Sequence, residues 1–199
     1  MPGEELSFSY PQIEAAVRGL HNVPAARSGT FKSRIRNFQR IGLIPSAPGK
    51  GHQIDYSIVD AITWALCFEF VEVGFLPENI KAIFSLLGTV LYYPFGGPIQ
   101  DEDQILVLRG NFLEWHLAGG GAKLGEGETS FGVIPVSRVS NMVFTKAKIS
   151  RAIMINLTDL KRNLGDALKI EWDYVVYIPE PDGRIVMSRS VSRQTAAVF

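Results

Sequence analysis

In the first part of the chain, apolar residues recur at helical spacing; farther along, short β-like runs take over. Ile13, Ala16, Val17 and Leu20 predict a short helix that starts after Ser9, with Pro11 tolerated in its first turn. Gly19 and His21-Asn22-Val23-Pro24 break it. Phe31, Ile35, Phe38 and Ile41 line one face of a second helix, with Ser28 or Thr30 as its cap. Gly42 and Pro45 stop that helix sharply. Ser46 to His52 is turn-rich and Gln53 to Tyr56 suits a short strand, so residues 46–55 read as a hairpin tipped by Lys50. Ser57, with Asp60 three positions on, caps a third helix to about Val73, whose inward and outward alternation is that of a buried helix. Pro77 opens a fourth, with Ile80, Ile83, Phe84 and Leu87 on its apolar face and Gly88 at its end.

Beyond Gly88 the texture changes. Tyr92 to Asp103 is rich in Pro and Gly and reads as a connector holding a domain boundary. Strands are predicted at 104–108, 111–117 and 131–136, the last pushed to a sheet edge by Pro135. Residues 119–127 form a glycine-rich loop. Ala152 to Leu157 reads as a buried strand, followed by a helix capped by Thr158 and carrying Leu160, Leu164 and Leu168. Residues 173–179 and 184–188 flank Pro181-Asp182-Gly183, a hairpin signal. The last ten residues suit a strand or a loose tail. The fold class expected is α+β, divided into residues 1–90, a connector at 91–103, and a smaller-sheet α+β unit at 104–199.

Composition narrows the function classes. Lys+Arg and Asp+Glu both total 20 in 199 residues, so net charge alone identifies no partner. The distribution is more informative. Residues 28–54 hold Lys32, Arg34, Arg36, Arg40 and Lys50 with no acidic residue, whereas residues 57–90 set Lys81 against Asp60, Glu69, Glu72 and Glu78. A block of one positive sign suits a polyanion, whose phosphates release counterions when neutralised. A solvated helix face is the plainer reading of the charge taken alone.

Several classes lose support. The single Cys67 precludes an intramolecular disulfide or a multi-cysteine zinc site, and it lies in an apolar helix as a small hydrophobe. His21, His52 and His116 are dispersed, so neither metal nor cofactor is expected. Gly119-Gly120-Gly121-Ala122-Lys123 lacks the features of a phosphate loop, and Glu126 and Glu128 read as solvated. Trp115, Trp172, Tyr174 and Tyr177 suit core or cross-strand packing better than a ligand pocket. No catalytic constellation emerges, and the expectation is a protein that is not an enzyme. The acidic start Met1-Pro2-Gly3-Glu4-Glu5 does not read as a signal peptide. The uncharged stretch Ala82 to Gln100 is broken by Gly88, Pro94, Gly96, Gly97 and Pro98, which argues against a lipid-exposed helix. A cytoplasmic, nucleoid-associated protein is expected.

A short helix, a break and a second helix with a basic outer face make a helix-turn-helix pattern. The run from Arg34 through Ile35-Arg36-Asn37-Phe38-Gln39-Arg40-Ile41-Gly42-Leu43-Ile44 to Pro45 resembles the MerR-type winged-helix family. Tyr56-Ser57 with Asp60, and Val73-Gly74-Phe75-Leu76 with Glu78 and Ile80, match in the same order. The resemblance covers residues 8–87. It implies a winged helix-turn-helix domain in which Arg36 and Asn37 face DNA, Phe38 is a core aromatic and Arg40 lies toward the backbone. Gln53-Ile54-Asp55 departs from the family's usual Gly-Tyr-Arg-like run in the wing. Gly88 and the connector interrupt the long pairing helix of typical activators.

Those residues predict a sequence-specific transcription regulator. Helix 30–41 would read the major groove and the wing 46–55 would touch the backbone. The candidate contacts are Lys32, Arg34, Arg36, Asn37, Gln39, Arg40, Lys50, His52 and Gln53. Arginine can pair bidentately with guanine or phosphate, and asparagine with adenine. The expected partners are double-stranded DNA, a second copy through the C-terminal unit, and RNA polymerase. An excisionase-like architectural protein and a protein-interaction module using the basic helix are the alternatives.

Overall fold

The computed structural model describes residues 6–46, 54–109, 131–140, 152–179 and 185–189. The fold is α+β, with helices and small antiparallel sheets. Strand β1 (Ser7–Phe8) pairs antiparallel with β2 (Tyr56–Ser57), closing the segment that holds α1 (Tyr10–Leu20) and α2 (Ser28–Arg40). Gln12 Oε1 accepts from the Ser9 amide at 2.8 Å and from its hydroxyl at 2.7 Å, which fixes the start of α1. Helix α2 departs from expectation at its start. A 3₁₀ turn, Ala25–Arg27, runs straight into it, so Arg27 is the N-cap and Ser28 is already helical.

Helices α1, α2 and α3 (Ile58–Glu72) end alike. A left-handed residue follows each cap, namely Asn22, Gly42 and Gly74. Val23, Leu43 and Phe75 then donate back to Arg18, Phe38 and Phe70 at 3.1, 3.0 and 2.9 Å. Gly42 and Gly74 suit this closure because a Cβ is disfavoured at positive φ. Ser57 and Asp60 cap α3 reciprocally, as the sequence indicates. This helix is buried on nearly every side, from Ile58 to Phe70, and forms the axis of the molecule. Helix α4 (Pro77–Leu87) lays Ile80, Ile83 and Leu87 against it.

Strand β3 (Gln104–Arg109) lies between β4 (Phe131–Pro135) and β5 (Ala152–Asn156) in an antiparallel sheet. Strand alternation gives the sheet two working faces. Leu106, Leu108 and Ile155 enter the main core, while Ile105 and Val107 join Ile134, Val139 and Ala152 in a smaller cluster. Strand β5, expected to be buried, has β3 alone as its described neighbour, and Met154 is 53% exposed. Asn156, rather than Thr158, caps α5 (Leu157–Leu168), its Oδ1 accepting from the Asp159 amide at 2.9 Å. Thr158 Oγ1 instead accepts from the Gln104 amide at 2.8 Å and ties α5 to β3. Strands β6 (Val175–Pro179) and β7 (Ile185–Arg189) pair antiparallel, while Asp173 belongs to the 3₁₀ turn Trp172–Tyr174. The expected strand 111–117, the loop 119–127, the turn 181–183 and the last ten residues lie outside the described residues.

The stretch expected as a connector is packed instead. It contains the 3₁₀ turns Gly88–Leu91 and Tyr93–Phe95, with Leu91, Tyr92 and Phe95 buried. The main apolar cluster runs without interruption from Phe8 to Met187, so both halves share it. Lys161 on α5 secures the joint. Its buried ammonium donates to the carbonyls of Pro94, Gly97 and Pro98 at 3.0, 2.8 and 3.2 Å, and to Gly96 at 3.4 Å. Trp172 covers it at 5.2 Å and donates to the Lys161 carbonyl at 3.0 Å. Burial draws the Lys161 pKa down to about 8, which leaves the group mostly charged near neutrality.

Lys161→Met keeps the volume and removes the donor to the carbonyls of Pro94, Gly97 and Pro98. Its cost is expected to be roughly 1.5–3 kcal/mol, the range for hydrogen bonds to a charged group. Urea unfolding measures it, and an unchanged midpoint would show that the ammonium does not hold the joint.

Candidate nucleic-acid interface

Helix α2 is fixed from within. Phe31, Ile35 and Phe38 are buried, and the ring of Phe68 on α3 lies 4.7 Å from Phe31 and 5.5 Å from Phe38. At ~100° per residue, this turns Gly29, Ser33, Arg36 and Arg40 to the opposite side. The C-terminal end is tied from three directions. Gln39 Nε2 donates to the Pro45 carbonyl at 3.2 Å, Lys81 Nζ donates to the Ile41 carbonyl at 2.8 Å, and Tyr56 Oη donates to the Ser46 carbonyl at 3.0 Å. A cation at the last carbonyls also complements the helix dipole.

The structure divides the predicted contacts into groups. Lys32 reaches Glu14 on α1 at 3.7 Å, and Arg34 reaches Glu72 on α3 at 3.1 Å. These two bracket α2 from its neighbours. Gln39 is committed to the turn that follows the helix. Arg36, Asn37 and Arg40 are brought together, lining a depression of about 440 Å³ with Thr30, Ser33 and Arg34. Arg40 Nη2 donates to Asn37 Oδ1 at 2.8 Å. Arg36 is exposed and makes no ion pair or side-chain hydrogen bond among the described residues. Lys50, His52 and Gln53 lie outside the described residues.

Sequence reading missed several members of this neighbourhood. Ser33 and Thr30 share the outer face at i−3 and i−7 from Arg36 and Asn37, a spacing that was available to find them. Tyr10 is electrostatically coupled to the strip. Burial raises its pKa, Glu14 raises it further and Arg36 lowers it. Lys81 acts on α2 from 40 residues away, which no local pattern reveals.

Behind the helix sits His21, its side chain only 6% exposed. Nδ1 is 3.9 Å from Glu69 Oε1, Nε2 has no partner among the described residues, and the ring lies 5.6 Å from Phe68. Burial lowers its pKa, outweighing Glu72 and the Ala65 backbone, which raise it. Cys67 is fully buried and burial raises its thiol pKa, so it serves as an apolar residue in the core. Among the described residues, no group of three or more His, Cys, Asp or Glu could hold a metal ion. No described helix is long and apolar enough to cross a membrane. No protein-family model, curated protein or solved structure matches the chain.

The His21 shift fixes a sign. The folded state favours neutral imidazole, so the unfolded chain binds more protons as pH falls through about 6.5. Stability should fall over that window and level off below the folded-state value. His21→Leu is expected to gain relative to the parent protein as pH drops from about 7 to about 5. Urea midpoints taken at steps of pH would check this, and parallel profiles would contradict it.

Proposed function

We propose that this chain is a sequence-specific, DNA-binding transcription regulator. Helix α2 enters the major groove, and residues 46–55 lie along the backbone as a wing. The observation that carries the reading is the outer face of α2. Arg36, Asn37 and Arg40 stand together on a helix whose opposite face is locked in the core, while the flanking carboxylates Glu14 and Glu72 are engaged by Lys32 and Arg34. Cations presented on a fixed helix face can replace phosphate counterions. The antiparallel pairing of β1 with β2 supports a wing, because it returns the chain after residues 46–55 to the start of α1. The resemblance of residues 34–45, 56–60 and 73–80 to the MerR-type family points the same way.

The end of α4 also limits how two copies could pair. After Leu87 the chain turns at Gly88, where φ is +47°, and buries Leu91 and Phe95 in the main core. A long pairing helix does not continue from this point, so self-association is assigned to a surface of the C-terminal part. A regulator of this kind acts in the cytoplasm at the nucleoid, beside RNA polymerase, and carries out no catalytic step.

Affinity for duplex DNA measured across a salt series tests the proposal. Arg36→Ala and Arg40→Ala are expected to weaken binding, with about 1–3 kcal/mol of site discrimination lost wherever a base edge is read. Lys50→Ala is expected to weaken all duplexes alike and to reduce the salt slope by about one. Parent-like affinity and slope in the Arg36→Ala, Arg40→Ala double variant would refute the reading. Cooperative bending without site preference would favour an architectural role.

A further inference from the structure

The charged groups on the outer strip of α2 are hydrogen-bond donors. Arg36 and Arg40 carry guanidinium donors and no acceptor. Asn37 ordinarily offers one acceptor and one donor group, and its usual bidentate partner is adenine. Here Arg40 Nη2 occupies Asn37 Oδ1 at 2.8 Å. A guanidinium can only donate, so the chemistry fixes which way the amide is turned and leaves Nδ2 as its unengaged group. The flanking carboxylates of Glu14 and Glu72 face Lys32 and Arg34. The other polar groups of the depression, the Ser33 and Thr30 hydroxyls, can donate as readily as accept.

The major-groove edges respond differently to such a surface. Guanine presents two acceptors, N7 and O6, whereas adenine pairs an acceptor with a donor and cytosine presents a donor. The guanidinium groups of Arg36 and Arg40, which only donate, are satisfied by guanine and set donor against donor at adenine N6 and cytosine N4. Arg36 and Arg40 are four residues apart on one helix face, about 6 Å along the axis at ~1.5 Å per residue. At ~3.4 Å per base step, that is about two steps of the duplex. We propose that the interface selects duplexes carrying guanines about two base steps apart, read through their major-groove acceptors by Arg36 and Arg40, with Asn37 committed to positioning Arg40. The inference rests on the duplex-binding role proposed above.

Selection of bound duplexes from a randomised library, run with the full chain and with Arg40→Ala, provides the test. The parent protein is expected to enrich paired guanines. Replacing one of them by 7-deazaguanine, which lacks the N7 acceptor, should lower affinity roughly fivefold or more. At the guanine that faces Arg36, the same replacement should have no effect in Arg36→Ala. Arg40→Ala frees Asn37 Oδ1, so its selected sites should lose one guanine and gain an adenine. Salt-dependent binding whose selected sites lack the guanine pair, or that ignores 7-deazaguanine, would overturn the donor-strip inference and leave DNA binding standing. An Arg40→Ala motif identical to that of the parent protein would do the same. Failure to retain any duplex at low salt would overturn the DNA-binding role itself.

Discussion

The geometry of the basic strip depends on Phe68. This ring lies on a helix that is buried on nearly every side, and it meets Phe31 and Phe38 of α2 as well as His21 at the end of α1. Burying each large apolar side chain of α2 is worth roughly 1.5–3 kcal/mol. The ion pairs Lys32–Glu14 and Arg34–Glu72 involve exposed partners and contribute about 0–1 kcal/mol apiece. Apolar packing therefore sets the rotation of α2 about its axis, and the ion pairs adjust its edges. Rotating the helix by one residue would bring charged side chains toward Phe68 and expose apolar ones. Such a register is far outside thermal reach.

Electrostatics then acts on a surface that packing has already fixed. The chain as a whole is neutral, with 20 basic and 20 acidic residues. Pairing makes the difference between one arginine and the next. Arg34 faces the carboxylate of Glu72 and brings no free charge, while Arg36, two positions on, faces solvent. The same carboxylates that neutralise the flanks also mark the limits of the positive strip.

Much of the helical part was legible from spacing and caps. Helices α1, α3 and α4 begin and end near where Ser9, Ser57, Asp60, Pro77 and the following glycines place them. The start of α2 was not, because Ser28 is a good cap by composition and the preceding 3₁₀ turn has no apolar period to announce it. Residues 91–103 misled for a related reason. Pro and Gly read locally as loop, yet Leu91, Tyr92 and Phe95 are core residues whose packing is set by partners far along the chain. Thr158 lost the cap to Asn156 because its hydroxyl meets a backbone amide of β3, a contact across 54 residues. The charges of the candidate site were visible in sequence. Their division into bound flank and free strip was not, since Glu14 and Glu72 come from other helices.

Lys161 shows why the two halves of the sequence do not behave as separate bodies. A buried ammonium that donates to successive carbonyls of a Pro/Gly turn cannot let go without losing its partners. Helix α5, which carries it, also packs along α1, and α1 and α3 together support α2. Contacts made by the second half therefore reach the basic strip through continuous packing. Close-packed interiors transmit displacement and resist partial rearrangement. Any large reorientation of the halves would have to break the shared core, at a cost comparable to the whole stability of a domain, about 5–15 kcal/mol. Within the described residues, the strip and the C-terminal elements form a single mechanical unit.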